Sequence, residues 1–297
     1  RAHLDERTLG PRRRTEAMRF PAPGNLVRII NPRLFSPRAL IAVLLASTLH
    51  KVFLSRGSAR PRICSTAKQE ASLALLCARL PSALQSAGCG SKATLWGVTL
   101  SSSSAEDPQA AALLRQFLQA RRYNVEKTTQ MIEATLRWRR EYGVEKLRAE
   151  DFADLPADEI APKADADGHS VVTLRMGAVP KSAFANRARY LRWRLCMQER
   201  GLRSLALGKA DAARPGFVYV LDCSGLKAFH VSKAARRCAT DLTKVMMQYY
   251  PDYLKGTRII NTPGFVAATW AVFRQILPVS FSSGVKVYTQ QQSESLE

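Results

Sequence analysis

The stretch that decides the fold of this chain is residues 249–265, which read Tyr249-Tyr250-Pro251-Asp252-Tyr253-Leu254-Lys255-Gly256-Thr257-Arg258-Ile259-Ile260-Asn261-Thr262-Pro263-Gly264-Phe265. Pro251 lacks a backbone N–H and biases Tyr250 towards extended geometry, so a helix that arrives here must end. The paired isoleucines at 259–260 are typical of a short buried strand, which the Pro-Gly pair at 263–264 interrupts. The stretch therefore predicts a helix end, a strand and the start of a second helix.

The helix predicted after this stretch, residues 265–277, carries Arg274 as its single charge. Its apolar residues are Phe265, Val266, Ala267, Ala268, Trp270, Val272, Phe273, Ile276 and Leu277. A helix that is apolar on nearly all sides is either buried or in contact with lipid.

Outward from this point, helices alternate with short apolar strands. The periodicity predicts helices at 108–121, 125–142, 183–206 and 231–249, and strands at 170–176, 216–222, 257–261 and 284–289. This order indicates an α/β lobe with a mostly parallel sheet flanked by helices, preceded by an all-helical subdomain. Residues 165–168, Asp-Ala-Asp-Gly, favour a turn before the first strand over a calcium loop, because the other oxygen ligands of such a loop are missing.

Residues 1–105 differ in composition from the rest. They hold 16 Lys and Arg against 4 Asp and Glu, and we expect a basic, disordered leader or targeting segment. The apolar run 39–49 is too short to span a bilayer and fits a signal-like region better. Alternatively, part of the leader is untranslated, since the sequence starts at Arg1 and its first methionine is Met18.

We assign residues 106–150 to the helical subdomain and 151–297 to the α/β lobe. The net charge of +21 suggests an anionic partner, but no basic stripe with interleaved aromatic residues indicates nucleic acid. The six cysteines lack metal-ligand spacing and are expected to be free, mostly buried thiols. We find no G-x-S-x-G elbow and no P-loop, so no motif indicates an enzyme.

Three blocks of the sequence resemble the CRAL-TRIO lipid-binding family. They are the tyrosine-tyrosine-proline stretch described above, residues 113–125 with 138–143, and residues 217–222 with Gly225. The resemblance covers about residues 106–289. It implies a CRAL-TRIO fold in which the sheet and its helices enclose a hydrophobic lipid cavity. The family continues beyond the point that matches Glu297, so we expect a truncated C-terminus.

The resemblance also implies a headgroup site. In family members that bind phosphatidylinositol, a basic residue, an acid and a lysine gather around the inositol phosphate. Arg121 and Asp252 match the first two, and Lys286 stands two residues beyond the third position. The family's phosphatidylcholine contacts fall on Phe217, Tyr219, Ala161 and Val172, so none is retained and choline exchange is not expected.

A lipid carrier needs an apolar floor and a movable lid, because each buried methylene is worth about 0.8 kcal/mol. Phe217, Tyr219 and Leu221 alternate on one side of a predicted strand and are candidates for the floor, with Val218 and Val220 towards the covering helices. The alternative is that both faces are ordinary core. The lid candidates are Phe265, Trp270, Phe273, Ile276 and Leu277, which in an ordinary buried helix are core instead.

We therefore expect a non-enzymatic carrier that encloses a phospholipid, with phosphatidylinositol first, and moves or presents it between membranes. The alternatives are a binder of another hydrophobic ligand, such as a tocopherol or a retinoid, and a regulatory module that senses lipid without transferring it. The expected partners are the lipid and a transient membrane surface, with no cofactor and no nucleic acid. We expect a cytoplasmic monomer with peripheral membrane association, with organelle targeting by the leader as an alternative.

Overall fold

A computed structural model of the protein describes residues 66–162, 165–205, 216–251, 253–264 and 285–294. Its helices and strands in these ranges are, in chain order, α1 (Thr66–Ser86), β1 (Ala93–Leu95), β2 (Val98–Leu100), α2 (Pro108–Ala120), α3 (Val125–Tyr142), β3 (Glu159–Ala161), β4 (Ser170–Arg175), α4 (Arg187–Ser204), β5 (Phe217–Asp222), α5 (Lys233–Tyr249), β6 (Leu254–Thr262), β7 (Val285–Thr289) and α6 (Gln290–Glu294). Short 3₁₀ segments lie at Val144–Ala149, Met176–Ala178, Lys181–Phe184 and Ala228–Val231.

A five-stranded sheet forms the centre of the lobe, in the order β3-β4-β5-β6-β7. The β3 strand is antiparallel to β4, and the pairs that follow are parallel. Parallel neighbours need a crossover, which α4 supplies between β4 and β5 and α5 between β5 and β6. The prediction of a helical part followed by a mostly parallel α/β lobe is therefore confirmed.

The helix boundaries follow the capping residues of the sequence. The Asp107 side chain accepts a hydrogen bond from the backbone of Gln109 at the start of α2, and Asn124 does the same for Lys127 in α3. Gly143 ends α3 with a φ of 72°, a left-handed conformation that glycine adopts without steric cost. Helix α5 ends at Tyr249, as Pro251 predicts.

The interpretation of residues 66–105 as part of a disordered leader is wrong. Helix α1 is 21 residues long, and its Leu73, Leu76, Leu80 and Leu84 are buried in the same core as the lobe. The β1–β2 hairpin that follows turns at Trp96 and Gly97, whose φ values of 50° and 88° are those of a two-residue type I′ turn. The leader interpretation rested on composition and passed over leucines 73, 76, 80 and 84, which recur at helical spacing.

Other predictions from the sequence can also be compared with the structure. The turn at 165–168 is confirmed, since Gly168 donates to the carbonyl of Asp165 and has a φ of 75°. Strand β3 was missed because it is a three-residue edge strand with no apolar alternation. The predicted helix 265–277 lies outside the described residues.

Each face of the sheet is defined by its register. Val172, Tyr219, Thr257 and Val285 form one row across β4 to β7, because paired residues of parallel strands point to the same side. Tyr219 in this row is hydrogen-bonded to Arg194 of α4. The side of β5 that carries Phe217, Tyr219 and Leu221 is therefore the side that faces helix α4. Val218 and Val220, which were expected to face the covering helices, are buried and point to the opposite face from α4.

Within the residues described, no helix combines the length and the apolar character that crossing a membrane requires.

Two glycines, Gly177 and Gly201, allow a matched test of how tightly the segments around the sheet pack. A Cβ added at Gly177 would lie 1.8 Å from the carbonyl oxygen of Ser224, whereas one added at Gly201 within α4 would lie 3.9 Å from Val172. We expect Gly177→Ala to lower the free energy of unfolding by about 1–3 kcal/mol through overpacking. Gly201→Ala should raise it by about 0.5–1 kcal/mol, because alanine loses less backbone entropy in a helix. Denaturant titration measures both, and equal effects would contradict the described contacts.

Candidate functional site

The end of α5 is held against the helical subdomain by the two tyrosines of the deciding stretch. The Tyr249 ring stacks on Trp138 of α3 with centroids 4.5 Å apart and an interplanar angle of 3°. The hydroxyl of Thr135, also on α3, donates to the Tyr249 carbonyl at 2.9 Å. Tyr250 is buried and lies at a centroid distance of 5.9 Å from both Trp96 and Trp138. The motif therefore docks α5 onto the helices that precede the lobe.

Arg121, the predicted headgroup arginine, lies at this same helix end. It follows α2 and its Nη2 donates to the carbonyl of Met247 at 3.2 Å. The side chain is half-buried, and burial lowers the pKa of its guanidinium. Carbonyls of the last helical turn have no partner within the helix and carry partial negative charge, so a cation stabilises them. The structure thus brings Arg121 to the end of α5, five residues before position 252 in the sequence.

A buried carboxylate, Glu199 of α4, gathers donors from three other segments. Arg139 of α3 donates Nη1 to Oε1 at 2.6 Å and Nη2 to Oε2 at 2.9 Å. The indole N–H of Trp96 lies 3.1 Å from both oxygens, and the Tyr250 hydroxyl donates to Oε1 at 2.8 Å. We call these four residues the Glu199 network. It ties the β1–β2 hairpin, α3, α4 and the end of α5 together.

The charges of the network are shielded from water. The side chains of Arg139 and Glu199 are 6% and 4% exposed. Burial acts to lower the pKa of Arg139, but its hydrogen bonds to Glu199 and that negative charge outweigh burial, so the pKa is raised. Burial, together with the charge of Glu199, raises the pKa of Tyr250. Arg139 and Tyr250 therefore stay protonated as donors at any physiological pH.

A second buried ion pair lies beside the sheet face that carries the floor residues. Arg194 of α4 donates to both carboxylate oxygens of Asp158, at 2.7 and 3.0 Å. The Tyr219 hydroxyl donates to Asp158 at 2.9 Å and accepts from Arg194. Burial raises the pKa of Tyr219. Tyr219 is thus a floor residue whose polar end is already fully engaged within the protein.

The other predicted site residues are placed as follows. Phe217 and Leu221 are buried in the core on the α4 side of β5. Lys286 is exposed on β7 and pairs in register with Arg258, in a row that points to the opposite face from Tyr219. Five lid candidates, Phe265, Trp270, Phe273, Ile276 and Leu277, lie outside the described residues, as does Asp252.

An apolar strip on α5 was not among the predicted site residues. Leu242, Val245, Met246 and Tyr249 recur at helical spacing and are only half-buried, and just three residues of this 17-residue helix are buried. We call these four residues the α5 strip. Their spacing was visible in the sequence, but partial exposure is a property of the fold. The α5 strip therefore packs against the core while keeping part of its apolar surface uncovered by the described residues.

Among the residues that the structure describes, one cluster has its groups close enough together for a metal ion, namely Asp165, Asp167 and His169. Its central carboxylate, from Asp165, already accepts hydrogen bonds from the backbone N–H of Asp167 and of His169 and contacts the His169 ring. These bonds close the turn before β4, which accounts for the cluster without a ligand.

Comparison with known proteins agrees with this architecture. The model of the CRAL/TRIO domain matches residues 159–297. Patellin-6 of Arabidopsis thaliana is 27% identical over 204 residues, which are 65% of this chain and 47% of patellin-6. Phosphatidylinositol/phosphatidylcholine transfer protein SFH13 of the same plant is 30% identical over 178 residues, 55% of this chain and 28% of SFH13.

In two further comparisons the match covers more of the other protein. Phosphatidylinositol transfer protein SFH5 of Cryptococcus neoformans is 28% identical over 215 residues, 64% of this chain and 70% of SFH5. The crystal structure of Sfh5 superposes with a TM-score of 0.63 at 18% identity, covering 76% of this chain and 81% of that one, and so shares the fold. The matches to patellin-6 and SFH13 span less than half of those proteins. Residues 159–297 of this chain are a CRAL/TRIO domain.

The Glu199 network gives a prediction about stability. Glu199→Ala leaves Arg139 buried without its main partner, and we expect the free energy of unfolding to fall by about 3–5 kcal/mol. Glu145 also bonds Arg139, at 2.5 Å, but its side chain is 62% exposed. Glu145→Ala is therefore the matched control, with an expected cost below about 1 kcal/mol. Denaturant unfolding measures both variants, and a similar cost for the two would show that the network does not hold the segments together.

Proposed function

We propose that this protein encloses a phospholipid, with phosphatidylinositol as its first ligand, and moves or presents it between membranes without chemically changing it. The single observation that carries the proposal is the position of Arg121. Residues that lie 126 positions apart in the sequence, Arg121 and Met247, are in contact at the end of α5. The resemblance requires this meeting, because Arg121 and Asp252 must reach the same headgroup.

The apolar side of the proposed site combines the floor and the α5 strip. Phe217, Tyr219 and Leu221 belong to the sheet face on which α4 lies, and α4 packs against α5. An acyl chain beside Leu242, Val245 and Met246 would bury side chains that are now partly exposed, at about 25 cal/mol for each Å² of apolar surface removed from water. The lid residues Phe265, Trp270, Phe273, Ile276 and Leu277 remain part of the proposal as its closing element.

Phosphatidylcholine is disfavoured as a second ligand. The resemblance places a choline-lipid contact at Tyr219, but this hydroxyl is engaged by Arg194 and Asp158. Freeing it would leave a buried ion pair short of a partner. The floor is otherwise apolar, and the Tyr219 hydroxyl is already hydrogen-bonded within the protein. These features support the alternative of a less polar ligand, such as a tocopherol- or retinoid-like molecule.

The relatives named as phosphatidylinositol transfer proteins support a carrier rather than an enzyme. A carrier works as a monomer at a membrane surface that it contacts transiently, and we propose a cytoplasmic location with peripheral membrane association. At the headgroup, Arg121 and Asp252 would bind the inositol phosphate. Lys286 would contribute from the sheet edge, although its row faces away from Tyr219.

A vesicle assay tests the function directly. We expect the full chain to move labelled phosphatidylinositol from donor to acceptor vesicles several-fold faster than buffer alone, and labelled phosphatidylcholine no faster than buffer. Retention of lipid by the protein without delivery would indicate a sensing module. Hydrolysis products would indicate an enzyme, and either result would contradict the carrier.

The headgroup assignment has its own test, with a control that the structure supplies. Arg121→Ala and Thr135→Val each remove one hydrogen bond to the end of α5, but only the first removes a proposed phosphate contact. We expect Arg121→Ala to lower phosphatidylinositol loading at least about tenfold, as the loss of a charge-assisted contact implies. Thr135→Val should leave loading within about twofold. Equal losses would show that Arg121 acts only on the helix end.

A further inference from the structure

A small cavity lies between the 3₁₀ segment 144–149, β3 and the C-terminal half of α4. Its Ile160 stands in the same register row as Val172 and Tyr219, at the β3 edge of the sheet. Its volume is about 260 Å³. The lining residues are Val144, Leu147, Arg148, Ile160, Cys196, Glu199, Arg200 and Arg203. This volume is below the roughly 300–1,000 Å³ of sites for drug-sized ligands, so it suits a compact molecule.

Positive charge dominates the surroundings of this cavity. Glu199, the acid in its lining, is already neutralised by Arg139. Glu145 nearby is shared between Arg139 and Arg203. The charges of Arg148 and Arg200 in the lining are not offset by these two acids, so the cavity attracts an anion.

The donors of the lining arginines are incompletely used. Arg148 is exposed and forms no hydrogen bond or ion pair within the described part of the chain. Arg200 is exposed and contacts only the weakly accepting sulfur of Met197, at 3.5 Å, among the described residues. The Nε of Arg203 is buried and has no partner among those residues, although its Nη2 bonds Glu145. A buried N–H donor without an acceptor destabilises the folded protein, and a ligand that supplies the acceptor removes this cost.

The remaining wall is apolar. Val144, Leu147 and Cys196 are buried, and Ile160 is half-buried. Burial raises the pKa of the Cys196 thiol; the charges of Arg200 and Arg148 act to lower this pKa, and those of Glu150 and Glu199 act to raise it. The thiol is therefore a neutral, apolar contact in the cavity wall. One end of a ligand would meet guanidinium groups and the other would meet aliphatic side chains.

We propose that this cavity is a binding site for a small organic anion, with one phosphate or carboxylate on a compact apolar group. The anion contacts Arg148, Arg200 and the free Nε of Arg203, and the apolar group rests on Val144, Leu147 and Ile160. The site lies at the β3 edge of the sheet, two strands from Tyr219, and does not depend on the proposed function. A lipid phosphate and a soluble phosphate share the recognised chemistry, and the experiment below distinguishes them.

The probes are phenyl phosphate, inorganic phosphate and phenol, titrated into the full chain by calorimetry. We expect phenyl phosphate to bind at least about tenfold more tightly than either of the other two, because it alone uses both parts of the site. Equal affinity for phenyl phosphate and inorganic phosphate would overturn the role of the apolar wall. Equal affinity for phenyl phosphate and phenol would overturn the role of the arginines.

The double variant Arg148→Glu/Arg200→Glu changes two exposed residues and should preserve the fold, which circular dichroism checks. Its matched control, Lys233→Glu/Arg237→Glu, makes the same change in net charge at two exposed positions of α5. We expect the first variant to lose phenyl phosphate binding at least about tenfold and the control to keep it. Equal binding by the two variants would overturn the site.

Transfer of phosphatidylinositol by the same variants separates the two sources of phosphate. We expect Arg148→Glu/Arg200→Glu to transfer lipid at the rate of the unchanged chain while losing phenyl phosphate. Loss of both activities together would place the arginines in the lipid headgroup site and overturn the separate site. If the unchanged chain transfers no lipid, the proposed function fails, whereas phenyl phosphate binding still decides the cavity.

Discussion

The carboxylate of Glu199, buried and bonded to Arg139, Trp96 and Tyr250, is the interaction on which the rest of the structure depends. It joins four segments, and its bond to Trp96 alone spans 103 residues of sequence. A buried charge is tolerated only when its lone pairs are satisfied, so each donor is held in place by the cost of losing it. The hairpin turn at Trp96, with its left-handed φ of 50°, is stabilised by the same bond. Helical subdomain and lobe thereby become one packed unit.

This unit fixes the end of α5, and with it the proposed lipid site. Tyr249 and Tyr250 fasten the helix to α3 and to the Glu199 network, while Arg121 and Thr135 supply donors to its last carbonyls. The proposed lipid site takes its wall from the half-buried α5 strip, next to this fixed helix end, and its floor from β5.

Much of this fold follows from local chemistry that a sequence displays. Pro251 ends α5, Asp107 and Asn124 begin helices, and the apolar run at 217–222 is a buried strand. Other features of the fold could not be predicted from the sequence, because they depend on contacts between residues that are far apart in the chain. The face of β5 that meets α4 is decided by Arg194 and Asp158, which lie 25 and 61 residues from Tyr219. Helix α1 was missed because the basic composition of residues 1–105 was given more weight than the leucine spacing within it. The Glu199 network was missed because its members are far apart in the sequence.

We propose above all that the protein encloses one phospholipid molecule. Native mass spectrometry of the full chain, after incubation with mixed phospholipid vesicles and separation from them, tests this claim most directly. We expect a protein ion heavier by the mass of a single phosphatidylinositol, which dissociates on collisional activation. A protein that stays at its ligand-free mass, under conditions in which its fold is intact, would contradict it.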